Sequence, residues 1–189
     1  MTEEEQISEA AKIVRDGGVI IYPTDTVLGL GCDARNEDAV KRIIALKQRP
    51  AEKSMVILVE SEARLNRYVK EVPSIAWDIL DTSDKPITIV YPEGVNLAKS
   101  VMAEDKSVAI RLVNNDFCEK LIRRCNCALV STSVNISGDP PALNLEMVCP
   151  SILEHVDYVV NLPPQLVGIQ KPSPIIKIGI DGEIKIIRP

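Results

Sequence analysis

The 189-residue chain has a formal net charge of −5, from 22 Lys plus Arg against 27 Asp plus Glu, so no broad positive field attracts nucleic acid or an anionic membrane. Hydrophobic residues make up 46% of the chain, which supports a packed core, but aromatic residues make up only 3%, which disfavours base stacking on an aromatic platform. No signal peptide or membrane-spanning stretch can be read and the five Cys are an odd number, so a reducing cytoplasm is expected.

Helix and strand patterns alternate along the chain, without a low-complexity linker or an internal repeat. An opening helix ends at Gly17-Gly18, and a buried strand follows at 19–22. Asn36 caps a second helix that runs through Lys47. Further strands are predicted at 55–59, 87–91, 108–112, 128–131, 158–160, 175–178 and 184–187, with helices near 74–81 and 115–124. The pattern predicts one α/β domain over residues 1–189, with a twisted mixed β-sheet flanked by helices.

Polar clusters stand where predicted strands or helices end, which is where α/β proteins usually place ligands. Pro23-Thr24-Asp25-Thr26 leaves the first strand and leads into Gly29-Leu30-Gly31. These two runs provide hydroxyls, a carboxylate and a close approach of backbone. A simple turn would explain the first run equally well.

A second cluster brings Lys47, Arg49 and Lys53 within seven residues at the end of a helix. Lys offers a mobile point charge and Arg a planar fork, and together they suit a polyphosphate. The alternative is a cationic last turn that complements the helix dipole. That alternative explains Lys47 but not Lys53.

The run Ser131-Thr132-Ser133-Val134-Asn135 follows an apolar strand and can hold a ribose, a phosphate or a carboxylate, or equally form a cap or turn. Arg111 projects from a strand of apolar residues, so we expect it to be paired or ligand-bound. Neither a P-loop nor a dinucleotide fingerprint is present. No zinc site is predicted, because Cys125-Asn126-Cys127 has no second Cys pair and His155 is the single His.

In this order the clusters resemble the YrdC/TsaC family of threonylcarbamoyl-AMP synthases, nucleotidyltransferases of tRNA modification. The resemblance implies a concave basic cleft. It also implies formation of threonylcarbamoyl-AMP and pyrophosphate from L-threonine, bicarbonate or carbon dioxide, and ATP. Mg²⁺ would share the charge of the phosphates, with Asp25 as a candidate ligand. The product would pass to a tRNA threonylcarbamoyl transferase complex, with possible contact to tRNA or double-stranded RNA and none to a membrane.

The matched motifs also imply residue roles, because the family's K-x-R and S-x-N elements have counterparts in this sequence. The nucleotide-binding set is Lys47, Arg49, Lys53, Arg111, Ser133, Asn135 and Ser173. Lys47 and Arg49 are the catalytic pair. The threonine-binding set is Thr24, Thr88 and Ser131. The chain departs from the family at Leu28, where an aromatic residue is usual, and at Ser83-Asp84-Lys85-Pro86, which replaces a W-P-G-P run.

Two other functions fit the same residues. One is a binding module for double-stranded RNA or tRNA that uses the basic cleft without catalysis. The net charge of −5 opposes it, since duplex affinity usually draws on about 6–10 phosphate contacts. The other is a nucleotidyltransferase of the same fold with a different acyl substrate, which the departures at Leu28 and residues 83–86 permit.

Overall fold

The computed structural model describes residues 1–48, 55–140, 142–161 and 171–189. The strands are β1 (Ile20–Tyr22), β2 (Gly29–Gly31), β3 (Val56–Val59), β4 (Thr88–Tyr91), β5 (Val108–Leu112), β6 (Leu129–Ser133), β7 (Tyr158–Val159), β8 (Ile175–Ile178) and β9 (Ile184–Arg188). The helices are α1 (Glu3–Arg15), α2 (Glu37–Leu46), α3 (Glu62–Leu65), α4 (Ser74–Thr82), α5 (Asp116–Cys125) and α6 (Pro150–Leu153), and short 3₁₀ helices lie at Lys99–Val101 and Leu145–Met147. Within the described part of the chain, no helix is both long and apolar enough to cross a bilayer.

The nine described strands form one sheet in the order β7-β1-β2-β6-β3-β5-β4-β8-β9. The pairs β1/β7, β3/β5 and β4/β8 are parallel, and the other neighbours are antiparallel. The predicted α/β class with a mixed sheet is therefore confirmed. Sequence patterns identified all of these strands except β2, and they did not predict the four-residue helices α3 and α6.

Side-chain caps fix where the longer helices begin. Thr2 and Glu5 form a reciprocal capping box at the start of α1. The side chain of Asn36 accepts hydrogen bonds from two backbone N–H groups at the start of α2, and Asn115 accepts one at the start of α5. Asn126 then ends α5 in the left-handed conformation, with φ of 54°. The cap predicted at Asn36 is confirmed.

Alternation of side chains along the strands divides the core between the two faces of the sheet. Ile57 and Ile110 pack with the apolar side of α2 and with α3 and α4. Leu58 and Leu129 point the other way and pack with α1 and α5. The second face is not covered throughout, and Val56, two residues before Leu58 in β3, lines an open cleft there.

Strand β2 has the sequence Gly29-Leu30-Gly31, and both glycines are required by close packing. A Cβ atom at Gly31 would lie 2.3 Å from the carbonyl oxygen of Val130 and 2.7 Å from Cε1 of Tyr22. At Gly29 it would lie 2.9 Å from Cγ2 of Thr24. The expected close approach of backbone is confirmed, but it occurs inside the sheet, where a low-propensity strand is held by its neighbours.

Gly31→Ala is expected to destabilise the fold by about 2–3 kcal/mol, because neither the Val130 carbonyl nor the buried Tyr22 ring can move aside freely. Gly182→Ala is the control: no atom lies within 4 Å of its Cβ position, and only its φ of +84° opposes the change. The control should lose about 1 kcal/mol. Denaturant unfolding of both variants measures the difference, and equal losses would contradict the packing explanation.

Candidate active site

An open cleft of about 370 Å³ occupies the part of the second sheet face that α1 and α5 leave uncovered. Its floor is made by Val56, Ala109 and Val90, which are direct neighbours across β3, β5 and β4. Its polar lining consists of Thr26, Arg111, Ser131, Thr132, Ser133, Asn135, Asp139, Ser173 and Arg188. An apolar floor with a polar rim suits a ligand that has one flat apolar part and one charged part.

Arg111 places a buried positive charge at one side of the cleft. Its Nη2 lies 2.8 Å from Oδ1 of Asp25, and the two side chains are 6% and 4% exposed. At this distance the two side chains form a buried ion pair. Beyond this charge contact, both oxygens of Asp25 and Nε and Nη2 of Arg111 have no well-formed hydrogen bond in the described structure. Burial raises the pKa of Asp25, and the charge of Arg111 opposes that rise.

Ser173 joins Arg111 to two further polar side chains. Its hydroxyl lies 2.7 Å from Oγ1 of Thr88 and 3.4 Å from Nη1 of Arg111. Its carbonyl oxygen accepts hydrogen bonds of 3.0 and 2.6 Å from Nε and Nη2 of Arg188. Burial and the nearby charge of Arg111 lower the pKa of Arg188. Two like charges beside one serine are stabilised when an anion binds between them.

The opposite wall is the end of β6 and the loop that follows it. Nδ2 of Asn135 donates to the carbonyl groups of Ile136 and Asp139, at 2.9 and 2.7 Å, and so closes the loop on itself. Nζ of Lys47, at the end of α2, donates to the carbonyl groups of Ser133 and Asn135, at 2.5 and 2.7 Å. The structure therefore brings Lys47, Ser133 and Asn135 together, as expected. The other two predicted cations, Arg49 and Lys53, lie outside the described residues.

The loop after β1 presents Thr26 and Val27 to the cleft, while Thr24 lies beneath them. Oγ1 of Thr24 accepts from the N–H of Thr26 at 3.1 Å and donates to the carbonyl of Val27 at 2.6 Å. Thr24 and Thr26 are 1% and 2% exposed, and of the two only Thr26 lines the cleft, whereas the hydroxyl of Thr24 shapes the loop from within. Leu28 points into the core with α2 rather than into the cleft.

Of the other two predicted threonine-binding residues, one also lines the cleft and one is also buried beneath it. Ser131 lines the cleft, whereas Thr88 is fully buried behind Ser173. The departure at residues 83–86 lies at a second cavity of about 440 Å³, which is also lined by Asp25. The roles of these residues therefore stay predictions.

The described residues do not fit a Mg²⁺ site at Asp25. The guanidinium of Arg111 lies against that carboxylate and disfavours a second cation there. No group of three or more His, Cys, Asp or Glu suited to a metal occurs within the described ranges. We therefore assign no step to a metal held by this carboxylate.

Comparison with known proteins connects this cleft to a family. The family model described as "Sua5_yciO_yrdC: Telomere recombination" matches residues 12–189. The chain belongs to this family. It is 34% identical over 176 residues to a protein of Hydrogenovibrio crunogenus named threonylcarbamoyl-AMP synthase, covering 89% of this chain and 91% of that one. A protein of the same name from Pseudoalteromonas translucida is 33% identical over 187 residues, covering 97% and 98%.

Solved structures agree with the sequence matches. Escherichia coli YciO superposes with a TM-score of 0.84 at 24% identity, over 99% of this chain and 89% of that one. P. abyssi Sua5 complexed with L-threonine gives a TM-score of 0.85 at 28% identity, over 94% of this chain. The chain spans only 52% of that Sua5. The family expected from the motifs is thus confirmed.

Sequence patterns missed Arg188 and Thr26 as cleft residues. Arg188 ends a strand of Ile and Lys residues, and its carbonyl partner Ser173 lies 15 positions earlier. A cation that ends an isoleucine-rich strand is a signal of the same kind as the lone arginine among the apolar residues of β5. Thr26 belongs to a recognised run, in which the sequence did not show which hydroxyl faces the cleft.

The position of Arg188 predicts that the free cleft binds small polyanions. Pyrophosphate should bind, and Arg188→Ala should weaken its affinity about 10-fold through loss of one charge-assisted contact. Lys185→Ala is the matched control, because Lys185 is a cation of the same strand that does not line the cleft. Calorimetric titration measures both affinities, and an equal loss in the two variants would indicate a diffuse field in place of a defined site.

Proposed function

We propose that the chain is a threonylcarbamoyl-AMP synthase, with residues 1–189 acting as one domain. It would convert L-threonine, bicarbonate or carbon dioxide, and ATP into threonylcarbamoyl-AMP and pyrophosphate. The observation that carries the proposal is the convergence of Arg111 and Arg188 on Ser173, opposite the Ser133 and Asn135 wall of the same cleft. Membership of a family whose relatives bear this enzyme's name supports it.

The proposed reaction depends on holding the substrates in position and needs no nucleophile from the protein. The amine of threonine adds to carbon dioxide and loses a proton, which gives a carbamate. A carbamate oxygen then attacks the α-phosphorus of ATP, and the bond to the pyrophosphate oxygen breaks. Carboxylate, carbamate and triphosphate are all anions, so the main barrier is to hold them together in attacking geometry.

Different parts of the cleft suit different parts of these substrates. We assign the apolar floor at Val56, Ala109 and Val90 to the flat part of the nucleotide, since no charged group interrupts it. Arg111 and Arg188 would neutralise anionic groups on one side. Each such contact in a partly dehydrated cleft contributes about 2–4 kcal/mol to transition-state stabilisation.

The opposite wall supplies uncharged partners. Ser133 and Asn135 would bind the phosphates or ribose, and Lys47 would hold their loop through two backbone carbonyls. Arg49 and Lys53 stay candidates for the triphosphate on the strength of their motif alone. Threonine would lie beside Thr26 and Ser131, with Thr24 and Thr88 acting from behind this lining.

The reactivity of the product indicates what must happen to it next. Threonylcarbamoyl-AMP is a mixed anhydride that water hydrolyses, so it must pass promptly to the enzyme that transfers the threonylcarbamoyl group to adenosine in tRNA. We propose that this transferase complex is the partner. All five Cys are free thiols, which supports a reducing cytoplasm as the compartment.

The reaction itself is the most direct test. Incubation with ATP, Mg²⁺, bicarbonate and labelled L-threonine should yield the labelled anhydride by mass spectrometry, with pyrophosphate release that requires both threonine and bicarbonate. Turnover with another amino acid in place of threonine would support the same-fold nucleotidyltransferase. Steeply salt-dependent binding of duplex RNA without ATP turnover would support the RNA-binding module, and either outcome would contradict our assignment.

Ala109 gives a test of the nucleotide floor. Ala109→Leu should lower ATP affinity about 10- to 100-fold, because the larger side chain fills the centre of the cleft. The cleft is open above this position, so the fold should survive, which an unfolding curve can verify. Ala109→Ser keeps the volume and should bind ATP nearly as well as wild type. If ATP affinity is unchanged in Ala109→Leu, the nucleotide lies elsewhere.

A further inference from the structure

The Asp25–Arg111 pair differs from the other buried ion pair of the described structure. In the Glu60–Arg64 pair, Nε of Arg64 donates a hydrogen bond of 2.6 Å to Oε2 of Glu60, and Oδ1 of Asn126 lies 3.5 Å from both terminal nitrogens. The guanidinium of Arg64 therefore has acceptors within the protein, and we call Glu60–Arg64 the closed pair. The Asp25–Arg111 pair is equally buried but leaves two guanidinium nitrogens and both carboxylate oxygens without hydrogen bonds.

This difference indicates what each pair is for. A guanidinium has five N–H donors, and burying them without acceptors is unfavourable. Arg111 lies in β5 inside the sheet and lines the cleft, and its Nη1, which lies 3.4 Å from the Ser173 hydroxyl, is not among the nitrogens sealed against Asp25. An anion in the cleft can therefore approach this guanidinium from the side of Ser173. Neither Glu60 nor Arg64 lines the cleft. Of the two pairs, only Asp25–Arg111 is therefore placed to contact a ligand in the cleft.

The loop around Asp25 is built to keep the carboxylate in place. Thr24 and Thr26, on either side, are tied by the Thr24 hydroxyl to each other and to Val27. Behind the loop, Sγ of Cys118 in α5 lies 3.4 Å from the carbonyl oxygen of Pro23. Asp25 is thus a fixed charge on a well-braced turn.

We propose that Asp25 is a positioning residue for Arg111: its carboxylate balances the charge of the buried guanidinium and fixes its orientation, so that the side chain faces a substrate anion in the cleft. The inference rests on the proposed function only for the identity of that anion. It assigns Asp25 to the protein's own arginine, in place of Mg²⁺ or substrate, and it explains why an aspartate lies between two threonines that shape the cleft.

A double-mutant cycle tests this assignment. The variants are Asp25→Asn, Arg111→Gln and the double variant, each measured for kcat/KM and, by calorimetry, for ATP affinity. Asp25→Asn should lower kcat/KM on the order of 100-fold, the loss typical of a misplaced catalytic contact. In the Arg111→Gln background the same change should alter neither quantity by more than about 2-fold. Additive losses, or a changed Mg²⁺ requirement in Asp25→Asn, would overturn the proposal.

Two controls separate positioning from stability. Glu60→Gln breaks the closed pair, so it should lower the unfolding midpoint yet leave kcat/KM within about 2-fold of wild type. Asp25→Glu keeps the charge and should recover part of the activity lost in Asp25→Asn. A loss in Glu60→Gln as large as that in Asp25→Asn would reduce the role of Asp25 to general stability.

The cycle remains decisive if a variant or the function fails. If Asp25→Asn does not fold, the double variant, in which both buried charges are removed together, is compared with Arg111→Gln alone. A lower ATP affinity in the double variant then contradicts the proposal, and equal affinity supports it. If wild type binds ATP without threonine-dependent turnover, the proposed function fails while the affinity cycle still decides the role of Asp25. A wild type that binds no ATP overturns both.

Discussion

Burying a guanidinium inside a β-sheet costs several kcal/mol unless other groups compensate it. Arg111 is such a buried guanidinium, and it lies in β5 between Leu58 and Thr88 on the neighbouring strands. Asp25 supplies the opposing charge, Ser173 a weak hydrogen bond, and the open cleft a place for a further anion. The loop after β1, which carries Asp25, and the segment before β8, which carries Ser173, both contact this one charge.

The sheet itself makes the cleft by being unevenly covered. One face packs with α2, α3 and α4, while α1 and α5 cover only part of the other. Where that cover stops, the outward side chains of β3, β5 and β4 are small or β-branched, and the polar groups of β6 and residue 173 stand beside them. The same period-2 alternation that builds the core thus also presents the ligand surface.

Sequence patterns predicted much of this because the strongest signals are local. Apolar runs identified eight of the nine described strands, and a lone arginine among apolar neighbours in β5 identified Arg111. Strand β2 was missed because Gly-Leu-Gly has low strand propensity, and only contact with Tyr22 and Val130 explains it.

The site was harder to predict, since contacts over long chain separations decide it. Lys47 meets residues 86 and 88 positions away through their backbone carbonyls, which no side-chain motif encodes. Thr24 and Thr26 are equivalent in a sequence pattern, yet a 2.6 Å hydrogen bond to Val27 holds one inward and leaves the other at the cleft. Leu28, a departure from the family pattern, packs in the core and does not itself line the cleft.

Arg111, Arg188 and the loop held by Lys47 come from separate parts of the chain, and we propose that they form one anion-binding cleft. A crystal structure with a non-hydrolysable ATP analogue and L-threonine tests it most directly. We predict that the triphosphate lies between Arg188 and the Ser133–Asn135 wall, with an anionic substrate oxygen within hydrogen-bonding distance of Arg111. Density for the nucleotide on another surface, with Arg111 still directed only at Asp25, would contradict the account.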